Sequence, residues 1–141
     1  MHQTTFIQPA AVARRWHHAS AKGKLLGPLA VKIATTLMGR HRADWSPTVD
    51  SGDFVVVTDV EGIVVTGKKA TNKTYKFHSG YMGGITEIPF NVMQARHPER
   101  ILQLAVKRML PKSIQGRHQL KRLKVFKGAA HPHTAQAPKP L

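Results

Sequence analysis

The chain has 141 residues, enough for one domain with a real core, and no cysteine, which excludes disulfides, thiolate zinc sites and cysteine nucleophiles. No apolar run approaches the ~18 residues of a membrane span. The formal net charge is +15, yet all seven acids lie between Asp44 and Glu99, so two acid-free basic flanks surround a near-neutral centre. Self-repulsion on that scale opposes compaction and points first to a polyanion, nucleic acid, as partner.

In chain order, residues 1–13 read as an extended N-terminal arm. Its acid-free start, with Arg14 and Arg15 following, has a weak likeness to a mitochondrial transit peptide, but Pro9 interrupts it and only Thr4 and Thr5 supply hydroxyls. Trp16 opens a short mixed segment with strand character. Gly27-Pro28 starts a helix, with Pro28 at the first helical position, and Leu29, Ile33 and Leu37 form its apolar stripe beside Ala30 and Ala34. Gly39 is placed to end it in a left-handed conformation.

Asp50-Ser51-Gly52-Asp53 is a turn in which both aspartates suit capping. Phe54-Val55-Val56-Val57 is apolar on both faces, as in a parallel strand covered on both sides, and Ile63-Val64-Val65 predicts a second such strand. Tyr75 and Phe77 alternate with Lys76 and His78, predicting a strand with one wetter face, and a glycine-rich loop follows to Gly84. Pro89 to His97 predicts a short helix. Pro98 and Glu99 start another, with Ile101, Leu102, Ala105, Val106 and Met109 on its buried side and Pro111 as its stop. Gln115 to Lys124 is a basic segment that Leu120 and Leu123 can dock, and Val125-Phe126 adds an edge strand. The predicted organisation is one domain over 14–128 and an extended, proline-containing tail over 129–141.

Gly62-Ile63-Val64-Val65-Thr66-Gly67-Lys68 matches the first seven positions of a phosphate-binding P-loop, but Lys69 stands where Ser or Thr must hold magnesium, and the intervening residues are strand formers. The segment reads instead as a strand ending in a turn whose Lys68 and Lys69 face a phosphate backbone. In the loop, His78 and Ser79 can donate to phosphates, Gly80, Gly83 and Gly84 permit close approach, and Tyr81 either stacks on a base or sugar or tucks into the core.

The pairs His17-His18 and His131-Pro132-His133 lie at opposite ends of the chain, and a metal needs three or four converging ligands, so no metal site is predicted and the histidines read as solvated or RNA-facing. No nucleophile elbow and no His-Glu-x-x-His stretch occurs, so no catalytic residue is predicted. The remaining cations form an electrostatic footprint: Arg14 and Arg15; Arg40 and Arg42 around His41; Lys76; Lys107, Arg108 and Lys112; and Arg117, Lys121, Arg122 and Lys124. Few aromatics accompany them, which favours the backbone of folded RNA or DNA over a single-strand stacking platform.

Several stretches, in this order, resemble the bacterial-type thirteenth large-subunit ribosomal protein family: Val49 to Val57, Thr66-Gly67-Lys68-Lys69, His78 to Gly84, His97-Pro98-Glu99-Arg100, Ala105 to Lys112, Leu120 to Phe126 and His131-Pro132-His133. The likeness runs from about Thr5 to Pro140. It implies an α/β fold: a three-layer domain with a small, mostly parallel central sheet flanked by helices. It also implies a structural, non-catalytic role in the large ribosomal subunit, bound to large-subunit rRNA and beside neighbouring ribosomal proteins, joining early in assembly. No cofactor, membrane or small-molecule substrate is expected, and the location is the cytoplasmic, bacterial-type ribosome rather than an organellar one. The alternative is a free-standing regulatory binder of mRNA or DNA. The chain departs from the family in three places, one being Lys22, which stands where an acid is common. Pro28 stands where Arg is usual after Leu26-Gly27, and His17-His18 replaces aromatic and apolar residues after Trp16.

Overall fold

Two β-strands at the centre are nearly free of charged side chains. In the computed structural model, which describes residues 7–141, β1 (Trp16–Ser20) and β2 (Phe54–Thr58) run parallel with Trp16 opposite Phe54 and Ser20 opposite Thr58. The β-branched run Val55-Val56-Val57 is fully buried, and β5 (Leu123–Val125) pairs along the other side of β2, again parallel. A two-residue strand at Lys139–Pro140, β6, lies along β1, giving the order β5-β2-β1-β6. The predicted α/β class with a mostly parallel, helix-flanked sheet is what the chain adopts. The end of the stretch after residue 128 is hydrogen-bonded at the sheet edge. Residues 1–6 of the expected N-terminal arm lie outside the described residues; the rest includes one 3-10 turn, Pro9–Ala11.

Helix α1 (Leu26–Met38) connects β1 to β2. Its stripe of Leu29, Ala30, Ile33, Ala34 and Leu37 is buried, as the four-residue spacing requires. It begins two residues before Pro28, whose missing N–H still costs nothing, because the first four N–H groups of a helix have no internal partner. Gly39 closes it at φ 77°, with its N–H on the Thr36 carbonyl and that of Arg40 on Thr35. Helix α4 (Pro98–Met109) packs Ile101, Leu102 and Val106 into the same core. Each such fully buried aliphatic side chain contributes about 1.5–3 kcal/mol. Met109 is not among them: it is 40% exposed at the mouth of a cleft.

The predicted strand at Ile63–Val65 does not form. The chain leaves β2 through Asp59, in the left-handed region at φ 56°, makes a 3-10 turn at Val60–Gly62, and keeps a single parallel bridge from Val64 to Leu25. Ile63 alone is buried there and Val64 faces outward. One helical turn, α2 (Lys69–Asn72), follows. A separate antiparallel hairpin, β3 (Thr74–His78) and β4 (Ile85–Pro89), leads into α3 (Phe90–Arg96). Helix α5 (Ile114–Lys121), capped by the Ser113 hydroxyl, returns the chain to β5. Among the described residues no helix is long and apolar enough to cross a membrane.

Asp50 and Asp53 are not helix caps. Asp53 is completely buried: its Oδ1 accepts the Arg15 N–H at 2.9 Å, and its Oδ2 faces His17 Nε2 at 3.2 Å and His41 Nε2 at 3.0 Å. Asp50 takes the buried Arg122 guanidinium in a two-pronged pair, 2.6 Å on each oxygen, while the same guanidinium donates to the Leu37 carbonyl at the end of α1. Burial pushes the Asp50 carboxyl up, but the hydrogen bonds and charge of Arg122 outweigh it and hold the group below the usual carboxylate range. Gly52 lies between the two aspartates so close to α1 that a Cβ there would run into the Leu37 carbonyl oxygen.

Two outcomes follow. Gly52→Ala is expected to destabilise the fold by about 1–3 kcal/mol, because backbone rather than a side chain must move; urea unfolding measures it. Arg122→Met is expected to cost about 3 kcal/mol at neutral pH by orphaning a part-buried carboxylate. A depressed carboxyl contributes stability that is complete above its unfolded value, about 3.9, and is lost as pH falls through the folded value. That acid-side loss should appear in the native chain and vanish in Arg122→Met.

Candidate nucleic-acid interface

Acids and cations are sorted differently by the fold. Among the described residues, Arg42, Lys76 and Arg122 are the lysines and arginines that form salt bridges, with Asp44 and Asp53, Glu87 and Asp50 respectively. Among the described residues the other side chains of the 22 Lys/Arg form no salt bridge. Most of the acids are thus spent inside the fold or locally, and most cations face outward without opposition.

A basic cleft of about 450 Å³ lies between the start of α1, the segment after Val64 and the end of α4. Lys69, Lys73 and Arg108 line it together with Thr66 and the aliphatic walls of Leu25, Val65 and Met109, and no acid lines it. Lys73 sits over the Tyr75 ring, 5.6 Å from its centroid. Burial, then the like charges of Lys69 and Arg108, push its ammonium below the usual lysine range. The Tyr75 hydroxyl is buried with no hydrogen-bond partner among the described residues. A concavity lined by three cations and no acid is matched to an anion. Lys68 and Gly67 continue the basic wall outward around α2. Pro28 lines the same cleft, so an arginine at that position would add a fourth cation.

The loop at the hairpin tip is exposed. Tyr81 is 80% accessible and Met82 102%, so Tyr81 does not tuck into the core. Gly80 (φ 96°) and Gly83 (φ 70°) make the turn, closed by the Ser79 N–H on the Gly84 carbonyl and the Gly84 N–H on Tyr81. His78 is oriented by the Gly80 N–H on its Nδ1. Below the tip, Lys76 pairs with Glu87 across the strands at 2.7 Å.

The other predicted cations divide. Arg14, Arg15, Arg40, Lys107, Lys112, Arg117 and Lys121 are exposed, with Arg40 over the Trp45 ring at 5.2 Å. Lys124 is half-buried on β5. Arg42 bridges Asp44 and Asp53, and Arg122 is buried, so both guanidinium groups are engaged by the fold. His131 and His133 pack on the sheet face: His131 lies 5.6 Å from the His18 ring, and His133 5.1 Å from Trp16, itself stacked on Phe54 at 4.4 Å. His17 and His18 are likewise not solvated, since they bond Asp53 and Thr58. Sequence reading missed Lys73. Its signal was the spacing from Lys69, four residues on, which stacks two cations on one side of a helical turn.

Residues 14–132 match the family described as ribosomal protein L13. The chain is 53% identical to large ribosomal subunit protein uL13 of Chloroflexus aggregans over 138 residues, 98% of this chain and 96% of that one. It is 50% identical to uL13 of Thermotoga petrophila over 139 residues, 99% and 93% of the two chains, and 49% identical to that of Symbiobacterium thermophilum over 141 residues, 100% and 99%. With an α/β fold on a parallel sheet and likeness running through nearly its whole length, the chain belongs to the ribosomal protein L13 family.

Proposed function

We propose that this ribosomal protein, a structural component and not an enzyme, is a constituent of the bacterial-type large subunit in the cytoplasm. It binds large-subunit rRNA, touches neighbouring large-subunit proteins and supports early assembly. The observation that carries the RNA reading is the acid-free cleft of Lys69, Lys73 and Arg108, whose like charges a phosphate would relieve. The exposed cations around it supply the long-range attraction, and the hairpin tip offers Tyr81, His78 and Ser79 beside a backbone that glycines keep narrow. Phosphate contacts of this kind set position on a folded RNA rather than read sequence.

Binding to an rRNA fragment across a salt series tests it. Neutralising roughly eight phosphates predicts a slope of log K against log salt of about −6 to −7. A slope near zero would overturn the electrostatic reading. Lys73→Ala should make the slope shallower by about 1, and Pro28→Arg should make it steeper by about 1, because each changes the cleft by a single cation. Cosedimentation with free small subunits and never with large ones would overturn the ribosomal placement.

Tyr81→Ala separates the tip from the fold. Its stability should stay within about 0.5 kcal/mol of the native chain, since the ring packs on nothing. Its RNA affinity should fall by about 1–3 kcal/mol where the ring stacks on a base. Unchanged affinity would remove the tip from the interface.

A further inference from the structure

The two histidine pairs of the sequence do not meet each other as ligands, but one member of the first meets two residues from elsewhere. His17 on β1, His41 just past the end of α1 and Asp53 at the head of β2 converge, and one ligand atom of each lies within 4.8 Å of the others. Both imidazoles direct Nε2 at the same carboxylate oxygen, Asp53 Oδ2, at 3.2 and 3.0 Å. Their rings stand at 84° to each other, so neither blocks the other's approach. A simple ion pair would need one imidazole on this oxygen; two imidazoles aimed at one buried carboxylate form the beginning of a coordination shell.

The surroundings fit that reading. Asp53 Oδ1 is held by the Arg15 main-chain N–H at 2.9 Å, which fixes the plane of the carboxylate and leaves Oδ2 for the ligand. Arg42 reaches Oδ1 only at 3.4 Å. Its firmer bonds go to Asp44, at 3.0 and 3.3 Å, so it can leave Asp53 without losing its partner. A cleft of about 310 Å³, lined by Arg15, His41, Arg42, Ala43, Asp44 and Asp53, opens onto the carboxylate and gives water a path to a further ligand position. The three ligands stand on separate, rigidly connected segments: β1 and β2 are paired along their length, and Gly39 fixes the exit from α1.

We propose that His17, His41 and Asp53 form a structural site for one transition-metal ion, best suited to Zn²⁺, with water as a fourth ligand. Two imidazole nitrogens and one carboxylate oxygen suit a borderline cation of tetrahedral habit, with ligand distances of about 2.0–2.2 Å, rather than Mg²⁺ or Ca²⁺, which prefer more oxygens. In the metal-free chain each Nε2 that donates to Asp53 Oδ2 carries a proton; on binding that proton is released to solvent or replaced by one on Nδ1, so each ring ligates as a neutral Nδ1–H imidazole and two N–H···O contacts are exchanged for two metal bonds. The ion would pin the loop after α1 to both central strands. The site is independent of the RNA-binding reading.

The experiment uses the full-length chain stripped with a chelator and then titrated with Zn²⁺ in a calorimeter and with Co²⁺ in the visible range. One equivalent of Zn²⁺ is expected to bind, Co²⁺ to give the d–d bands of a four-coordinate ion, and Tm to rise with Zn²⁺ concentration. His17→Phe and His41→Ala should each weaken Zn²⁺ binding at least tenfold and abolish the cobalt bands. His18→Gln, one residue along, should leave both unchanged. Because a variant can fail to fold, a second readout uses the native chain: in long-range ¹H–¹⁵N spectra, Zn²⁺ should shift the Nε2 resonances of two of the nine imidazoles, those of His17 and His41. No heat and no cobalt band, equal binding by both ligand variants, or shifts confined to other histidines would each overturn the site and leave a hydrogen-bonded carboxylate only.

Discussion

Everything else in this fold hangs on two aspartates placed on either side of one glycine. Gly52 lets the chain pass against the last turn of α1, nearer than any side chain permits. Asp53 then enters the interior with four donors on its two oxygens, and Asp50 fixes Arg122, which reaches the Leu37 carbonyl. A carboxylate removed from water is tolerable only when such partners replace its hydration. Here they join β1, the loop after α1, the head of β2 and the junction of α5 with β5. The sheet order depends on that knot, because β5 is placed beside β2 by the residue, Arg122, that immediately precedes it.

The same knot accounts for the uneven charge of the sequence. Five of the seven acids have structural work: Asp44, Asp50 and Asp53 hold arginines and histidines, Asp59 accepts the Ser20 hydroxyl, and Glu87 pairs across the hairpin. None is left to face the cleft of Lys69, Lys73 and Arg108. Burial first, and then the like charges of Lys69 and Arg108, hold the Lys73 ammonium below the usual lysine range, a cost that the isolated fold bears. Arg42, Lys76 and Arg122 serve the fold, and most other cations are free for an external anion. The cleft is therefore built jointly, with Lys69 and Lys73 from the near-neutral central segment and Arg108 from the basic C-terminal flank.

Elements governed by local periodicity or local punctuation were legible in the sequence: α1 from its four-residue stripe, Gly39 as its cap, β2 as a strand covered on both faces, and α4 from Pro98 to its stop at Pro111. Ile63–Val65 was misread because β-propensity reports a half-buried surface, and this run has only Leu25 to pair with as it turns away. Tyr81 was undecidable, since a glycine-rich loop permits either burial or exposure. The ligands of Asp53 were invisible for a different reason. His17 and His41 are 36 and 12 residues away, and Arg122 is 72 from Asp50. No local pattern encodes pairings of that span, so both aspartates read as caps and Arg122 as one more surface cation.

The polar segment His17-His18-Ala19-Ser20 shows how a strand with few apolar residues is still seated at the centre of a sheet. Its side chains are satisfied sideways: His17 on Asp53, His18 on Thr58, Ser20 on Asp59. Val56 and Thr58 lie opposite His18 and Ser20, so the strand's second face is partly polar and needs a cover that can tolerate imidazoles. The C-terminal stretch supplies it, with His131 against His18 and Phe126, and His133 against Trp16. It then turns back so that Lys139–Pro140 occupies the free edge of β1 and the Leu141 N–H caps the His18 carbonyl. A terminal strand at that position leaves no long unpaired edge on β1, the feature that would otherwise invite pairing with another chain. His18, His131 and His133 are thus one packed layer with Trp16 and Phe126, and Lys139–Pro140 pairs along the sheet edge.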